Sequence, residues 1–264
     1  MPLSTGRAAP GPSSDPANGD PNRAAIDIAI PVHNALEDVK LCLGALERET
    51  ERPHRLILVD DGSDLPTSEF LRGYAAGRQQ VVLIENPGNL GYTRSANNGL
   101  RASDAEWVVL LNSDTVVSKG WLEGLLECAA SDPQTALVGP VSNAATWQTV
   151  PELRDEQGGW LVNQLPPGMS VDDFASLVRE ASSRRFPEVP LLNGFCTLMR
   201  RDVVAAIGFL DEKTFPIGYG EENDLCIRVK KAGYRMRIAD QVYVYHKKSA
   251  SFGEARRMTL GSAR

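Results

Sequence analysis

Two acidic stretches that follow apolar runs carry residue types able to bind a nucleotide or a metal ion. Asp60-Asp61-Gly62-Ser63 follows the run from Arg55 to Val59, and Asn112-Ser113-Asp114 follows the run from Trp107 to Leu111. A carboxylate at the end of a strand can accept hydrogen bonds from a ligand. Side chains two residues apart point the same way along an extended chain, so Asn112 and Asp114 can direct two oxygen ligands at one divalent cation.

Each stretch also has a purely structural interpretation. Asp60 and Asp61 repel each other, so neighbouring groups must offset their charge, and Ser63 or Asp64 could simply cap the next helix. His246 ends the last apolar run of the chain. Taken alone it is a packed or surface residue, but an imidazole beside the Asp114 carboxylate would suit manganese better than magnesium.

A third acidic stretch, Glu221-Glu222-Asn223-Asp224, begins a predicted helix. The positive end of the helix dipole stabilises carboxylates there. One of them could remove a proton from a hydroxyl group, provided that it lies within hydrogen-bond distance of that oxygen. Alternatively, the three carboxylates could simply cap the helix, and Asp224 could pair with Arg228 one turn later.

A glycine-rich loop and helix start, Asn86 to Gly99, could approach a phosphate group. The helix N-terminus favours an anion, and Arg94 in the first turn offers a charged fork. No GKS or GKT sequence closes this loop, and the first strand-to-helix turn lacks GxGxxG. Kinases, ATPases and nicotinamide enzymes are therefore disfavoured.

The elements that must position these residues alternate between strand and helix. This alternation predicts an α/β/α sandwich, Rossmann-like, with a mostly parallel sheet whose carboxyl edge gathers the polar loops. The predicted strands are 26–32, 55–59, 81–85, 107–111, 191–199 and 235–245; the predicted helices are one capped by Asn34 and ending at 49, then 91–102, 120–130, 201–207 and 222–231. Residues 142–189 show little periodicity, which is typical of a substrate-binding insert or lid.

Composition excludes several functional classes. The chain has 264 residues, 28 Lys and Arg against 34 Asp and Glu, and a net charge of −6. It has no basic stripe for nucleic acid, no apolar segment long enough to span a membrane and no signal-peptide core, so we expect a cytoplasmic protein. The four cysteines lack CxxC spacing and are expected to be reduced and buried.

The ends of the chain differ in composition from its centre. Residues 1–24 are expected to form a disordered leader, because they contain no periodic apolar pattern. We expect one domain over residues 25–252. The tail that follows, 253–264, belongs to a basic C-terminal end, which would permit at most a peripheral contact with the inner membrane face.

Seven motifs in this order and spacing resemble glycosyltransferase family 2 over roughly residues 26 to 250. They are Pro31-Val-His-Asn34, Val59-Asp-Asp-Gly-Ser63, Asn89-x-Gly91 with Asn97-x-Gly99, Leu111-Asn-Ser-Asp114, Asn193-Gly-Phe195, Glu221-Glu-Asn-Asp-Leu-Cys-Ile-Arg228 and Tyr245-His246. The resemblance implies a GT-A fold and an inverting transfer of a sugar from a nucleoside diphosphate donor, usually with a divalent metal, Mn²⁺ or Mg²⁺.

The resemblance also implies roles for individual residues. Pro31 and His33 would border the base, Asp61 would accept a hydrogen bond from a pyrimidine, and Arg94 would approach the diphosphate. Asp114 would be the second acid of the DxD motif and a metal ligand, and His246 would complete the metal site. The candidate donor-binding residues are Pro31, His33, Asn34, Asp61, Gly91, Arg94, Asn112 and Ser113. The expected donor is a UDP- or dTDP-sugar, and the expected acceptor is a glycan or a lipid-linked molecule.

Two positions depart from the family pattern. Asn112 replaces the first acid of DxD, which weakens the expected metal site. Glu222 stands where the family has its Asp base, so Glu221 and Asp224 also remain candidates for the base. Two other functions stay open: a sugar nucleotidyltransferase, which would release pyrophosphate, and a non-catalytic module that binds carbohydrate or nucleotide sugar. Trp147, Trp160 and Asn143 lie in the 142–189 segment, where the aromatic rings could either stack on sugars or pack beneath a loop.

Overall fold

The computed structural model of the chain describes residues 26–248. The predicted leader, 1–24, and the predicted tail, 253–264, lie outside the described residues. The elements, in chain order, are β1 Ile26–Val32, α1 Leu36–Glu49, β2 Arg55–Asp60, α2 Leu65–Ala75, β3 Val81–Glu85, α3 Tyr92–Ala102, β4 Trp107–Leu111, β5 Thr115–Val116, α4 Trp121–Ala130, β6 Thr135–Val141, a 3₁₀ turn Thr146–Gln148, α5 Val171–Ala181, β7 Cys196–Arg200, α6 Arg201–Ile207, α7 Glu221–Lys231, β8 Arg235–Tyr243 and β9 Tyr245–His246.

Seven strands form the central sheet in the order β3-β2-β1-β4-β7-β6-β8. All neighbouring pairs are parallel except those made by β7, which runs antiparallel to β4 and to β6. The prediction of a mostly parallel sheet is therefore confirmed. A separate two-stranded ladder joins β5 to β9, with Thr115 opposite His246.

Helices cover both faces of the sheet. Alternate side chains of a strand point to opposite faces, so Ile28 and Ile30 of β1 pack with α1 and α4, while Ala29 packs with α3 on the other side. Gly99 of α3 lies so close to this strand that an added Cβ would be 3.0 Å from the Ala29 Cβ. The predicted α/β/α sandwich is confirmed.

Two local predictions are wrong, and one helix was not predicted. Asn34 does not cap α1: the cap position is Ala35, and the Asn34 side chain instead accepts a hydrogen bond from the Asp64 amide at 2.7 Å. The strand predicted from residue 191 begins only at Cys196, because the amide of Asn193 donates to Gln148 Oε1 rather than to a neighbouring strand. The segment 142–189 is more ordered than expected, since it contains α5.

Over residues 26–248, no helix combines the length and the apolar character that crossing a membrane requires.

Candidate active site

The ends of β1 and β2 bring the predicted nucleotide-binding residues together. The His33 ring lies 2.9 Å through Nδ1 from the Asp61 carbonyl oxygen. The amide groups of Asn34 and Asn89 lie 3.2 and 3.0 Å from His33 Nε2. Pro31 is buried within β1, opposite Val59 of β2. His33, Asn34 and Asp61 therefore share one side of the sheet edge.

Asp61 holds the loop between β3 and α3. Its carboxylate is 3% exposed and accepts hydrogen bonds from the Asn86 side chain at 2.9 Å, from the Leu90 amide at 2.8 Å and from the Gly91 amide at 3.0 Å. Asp60 accepts from the Ser63 amide and the Ser68 hydroxyl. These donors offset the repulsion between the two adjacent acids, and Asp64 caps α2 through the Thr67 amide.

The anion at the start of α3 is thus Asp61 itself. Gly91 has a φ of 90°, and a Cβ there would lie 2.4 Å from the Pro216 carbonyl oxygen, so only glycine fits. Arg94, in the first turn of α3, is exposed and forms no hydrogen bond or ion pair with the other residues described. The Gly91 amide, which already donates to Asp61, offers no vacant site for a second anion.

The β5–β9 ladder brings the two predicted metal ligands together. His246 Nε2 lies 3.4 Å from Asp114 Oδ1, and both side chains are about one tenth exposed. The His246 ring stacks on Phe195 with an interplanar angle of 13°. His246 Nδ1 lies 3.3 Å from the Ala144 carbonyl oxygen, which can only accept. With the ring proton on Nδ1, Nε2 keeps its lone pair for a metal.

Asn143 is a residue of this site that the sequence analysis did not place. Its side-chain oxygen accepts from the His246 amide at 2.7 Å, and its side-chain nitrogen donates to the His246 carbonyl at 3.0 Å. It therefore fixes the backbone of the candidate ligand from both sides. The two residues are 103 positions apart, so no spacing pattern could have joined them.

Tyr92 lies at the centre of the site and was also missed. It is the first residue of α3, and its hydroxyl donates to Asn112 Oδ1 at 3.0 Å. Burial, followed by the carboxylates of Glu221, Glu222 and Asp114, raises the pKa of Tyr92 well above its ordinary value. One residue thus links the DxD-like turn, of which Ser113 is a buried part, to the acidic start of α7.

Glu221 and Glu222 begin α7 and line a cavity together with Tyr92 and Gly194. Glu221 is 5% exposed, and its Oε2 is buried without a hydrogen-bond partner among residues 26–248. Burial, and next the charge of Glu222, raise the pKa of the Glu221 carboxyl to about 8. Glu221 therefore keeps its proton to a higher pH than an ordinary glutamate does.

Asp224 forms the alternative contact expected for it, an ion pair with Arg228 at 2.7 Å. Arg228 also donates to the carbonyls of Ile207, Gly208 and Phe209 at the end of α6. Arg228 therefore joins α7 to the end of α6, and Asp224 holds its guanidinium.

Helix α3 fixes the loop that leads to α7. The Thr93 hydroxyl donates to the Phe215 carbonyl, and Asn97 donates to the Leu210 carbonyl and to Glu212 while accepting from the Leu210 amide. Three consecutive residues of that loop, 218–220, have positive φ. The acidic pair is consequently held by the same helix whose start contacts Asp61 and Asn112.

The arrangement fits a divalent cation as a two-ligand site. Among residues 26–248 there is no group of three His, Cys, Asp or Glu side chains that could enclose a metal. Asp114 and His246 supply one oxygen and one nitrogen, a donor set that suits Mn²⁺. Asn112 Oδ1 accepts one hydrogen bond from Tyr92, which leaves one lone pair of that oxygen and the side-chain N–H groups to meet a ligand.

Comparison with known proteins gives consistent matches. A model described as glycosyl transferase family 2 matches residues 27–208. A pre-mycofactocin glycosyltransferase of Mycobacterium tuberculosis is 28% identical over 239 residues, which cover 90% of this chain and 45% of that protein. An N-acetylglucosaminyl-diphospho-decaprenol L-rhamnosyltransferase of the same species is 29% identical over 229 residues, covering 80% of this chain and 72% of that protein. The chain spans about half the length of the first relative.

Solved structures share the fold. GalNAc-T7 with UDP, GalNAc and Mn²⁺ has a TM-score of 0.64 at 15% identity, covering 84% of this chain and 44% of that one. The mannosyltransferase PcManGT from Pyrobaculum calidifontis, in complex with GDP-Man and Mn²⁺, has a TM-score of 0.61 at 17% identity, covering 90% of this chain and 61% of that one. With a GT-A fold and a family model that matches well over half of its length, the chain belongs to glycosyltransferase family 2.

Proposed function

We propose that the protein is an inverting glycosyltransferase that moves a sugar from a nucleoside diphosphate donor, a UDP- or dTDP-sugar, to a hydroxyl group of an acceptor. One observation carries the proposal. Tyr92 donates to Asn112, in the turn that carries Asp114, and lines one cavity with the acidic pair, Glu221 and Glu222, while Asp114 lies 3.4 Å from His246. Such a site can receive a departing diphosphate on one side and a proton on the other.

The reaction is a single displacement at the anomeric carbon of the donor. A bond forms from the acceptor oxygen to that carbon as the bond to the diphosphate breaks, and the proton of the acceptor hydroxyl passes to Glu222. Attack from the face opposite the leaving group inverts the configuration. Protonated Glu221 stays neutral beside Glu222, so only one negative charge faces the incoming hydroxyl.

The departing diphosphate needs positive charge. Asp114 and His246 would hold Mn²⁺ or Mg²⁺, which when bound neutralises charge on the diphosphate. Arg94 would add a guanidinium, and the Asn112 amide would donate a hydrogen bond. His33, Asn34, Pro31, Gly91 and Ser113 would shape the pocket for the base and ribose. Because Asp61 already accepts three hydrogen bonds from the protein, any contact with a pyrimidine would be a fourth.

The acceptor is proposed to be a glycan or a lipid-linked sugar. The rhamnosyltransferase relative is named for an N-acetylglucosaminyl-diphospho-decaprenol substrate, which supports a lipid-linked acceptor and a role in cell-wall or polysaccharide synthesis. A lipid-linked acceptor would bring a cytoplasmic protein to the inner membrane face. The segment 142–189, which contacts His246 through Asn143, would form the acceptor side.

Glu222→Gln tests the proposed base. We expect donor binding to persist while turnover falls by about 10² to 10⁴, the usual contribution of a general base. The assay measures nucleoside diphosphate release with and without acceptor, and NMR of the product gives the anomeric configuration. Asp224→Asn is the matched carboxylate on the same helix, and a larger loss in that variant would refute Glu222 as the base. Pyrophosphate release would indicate a nucleotidyltransferase, and binding without turnover a carbohydrate-binding module.

A further inference from the structure

A pair of tryptophans, one exposed and one half-buried, lies in the segment that contacts the candidate site and has no role in the proposed displacement. Trp147 is 55% exposed, and its ring meets the Trp160 ring edge to face, with centroids 4.8 Å apart. The Arg154 guanidinium lies 3.9 Å from the centre of the Trp160 ring. Of the four tryptophans in the chain, Trp147 is the exposed one, so packing beneath a loop does not account for it.

Two chains of contacts fix this pair to the reacting groups. Ala144, whose carbonyl faces His246 Nδ1, precedes Trp147 by three residues, a separation of at most about 11 Å between Cα atoms. Gln148, the next residue, is buried and accepts from the Asn193 amide at 2.7 Å. Asn193 adjoins Gly194, which packs against Glu222. A Cβ atom added to Gly194 would lie 3.4 Å from the Glu222 Cβ.

The partner ring comes from a short hairpin that is anchored to the same place. Arg154 and Trp160 face each other across an antiparallel bridge, so the stack of guanidinium on indole spans the two arms. The hairpin returns through Asn163, whose backbone amide donates to the Asn143 carbonyl at 2.9 Å and whose side chain donates to the Glu152 carbonyl at 2.8 Å. Asn143 is also the residue that holds the His246 backbone. The hairpin that carries Trp160 is thus tied through Asn143 to the backbone of His246.

We propose that Trp147 and Trp160, with Arg154, form a subsite that stacks one pyranose ring of the acceptor; this deepens the proposed function and rests on it. One face of a pyranose ring presents C–H groups that pack on an indole, while its hydroxyl groups need polar partners at the rim. The surface supplies both, because Arg154 donates hydrogen bonds and residues 151–159 around the rings are exposed and mostly polar. A patch of two rings bordered by charge fits a sugar rather than a lipid surface.

Tryptophan fluorescence tests the subsite without turnover. Wild-type protein is titrated with methyl β-glucoside, methyl N-acetyl-β-glucosaminide and methyl α-mannoside, with glycerol at equal hydroxyl concentration as the solvent control. We expect a saturable emission change with at least one glycoside that is lost in Trp147→Ala. No saturable change with any of them, or the same change in the variant, would overturn the proposal. Trp147→Phe keeps a ring and is expected to retain part of the binding.

Kinetics test the same subsite in the reaction. Trp147→Ala is expected to raise the acceptor KM about tenfold, with kcat and donor KM within about twofold of wild type. Leu41→Ala, an equally exposed apolar residue on α1, is the control and should change neither KM. An unchanged acceptor KM in Trp147→Ala would refute the subsite. If no donor is ever turned over by wild type while the glycoside titration saturates, the proposed function fails and the sugar subsite stands.

Discussion

Protonation of Glu221 makes folding stability depend on pH in a way that a single variant can isolate. The folded protein holds this carboxyl at a pKa of about 8, against 4.5 for an unperturbed glutamate. Between these values the folded state binds one proton more than the unfolded state. The stability that this proton contributes is fully present below pH 4.5 and is lost as the pH rises through about 8.

The size of the effect follows from the width of that window. Each pH unit inside this window lowers the free energy of unfolding by about 1.4 kcal/mol. The free energy of unfolding therefore falls by about 2 to 3 kcal/mol between pH 5.5 and pH 7.5 because of Glu221. Glu221→Gln is nearly isosteric and stays neutral at both values. We therefore expect the variant to lose less stability than wild type over this range, and to be the more stable protein at pH 7.5.

Urea denaturation of both proteins at pH 5.5 and pH 7.5 measures this difference. Histidines titrate in the same range, so the difference between the variant and wild type, rather than the wild-type slope, gives the Glu221 contribution. Glu222→Gln serves as the control. The charge of Glu222 is the second cause of the raised pKa, so its removal should give an intermediate slope. If the free energy of unfolding depends on pH in the same way in wild type and in Glu221→Gln, then Glu221 is not protonated in the folded protein.

Two further predictions concern the metal pair and the loop in front of α3. His246→Ala should raise the Mn²⁺ concentration needed for half-maximal activity. Asn112→Asp should lower that concentration, because it adds a second carboxylate at the site. If neither variant changes the Mn²⁺ titration, these residues do not belong to the metal site. Asp61→Ala should lower the free energy of unfolding by about 2 to 4 kcal/mol, because three donors lose a buried acceptor, and a variant as stable as wild type in urea would contradict this role.

Strands that are continuous apolar runs could be predicted almost to the residue. β1 and β4 lie inside the sheet and are largely buried, whereas β3 lies at its edge and is half-buried. The predicted bounds of all three strands match the observed ones, and each run ends just before a polar residue. The strand β6 was missed because its sequence contains Gly139-Pro140. Pro140 is tolerated there because the ladder to β7 ends at Val138, so the missing amide breaks no bond on that side.

The helix α5 could have been predicted from its sequence. Ser170 and Asp173 form a reciprocal capping box, a signal that the sequence contains. Val171, Phe174, Ala175 and Val178 follow at helical spacing, and all four belong to or pack against one core cluster. The helix was missed because the Pro, Gly and polar residues around it led us to interpret residues 142–189 as one irregular segment.

The site residues at strand ends and the pairing of Asp114 with His246 could be predicted, but the residues that hold them could not. The two-residue ladder that brings Asp114 and His246 together is too short to leave a pattern of its own in the sequence. Asn143 holds the His246 backbone through two hydrogen bonds, and Tyr92 reaches Asn112 through one, yet neither lies in a motif that names its partner. Local chemistry predicts which residues can react, whereas tertiary contacts decide how they are oriented.

Because Asp61 occupies the backbone amides at the start of α3, a donor diphosphate would have to be bound by other groups. Backbone amides at a helix start usually offer the ready-made anion site, yet here the Leu90 and Gly91 amides are already bound to a buried carboxylate. A second anion at the same point would face that charge directly. Under the proposed function, recognition of the donor would therefore depend on the Arg94 side chain and on the Asp114–His246 pair. For this reason we expect donor affinity to be more sensitive to Arg94 and to added metal than to substitutions within the loop itself.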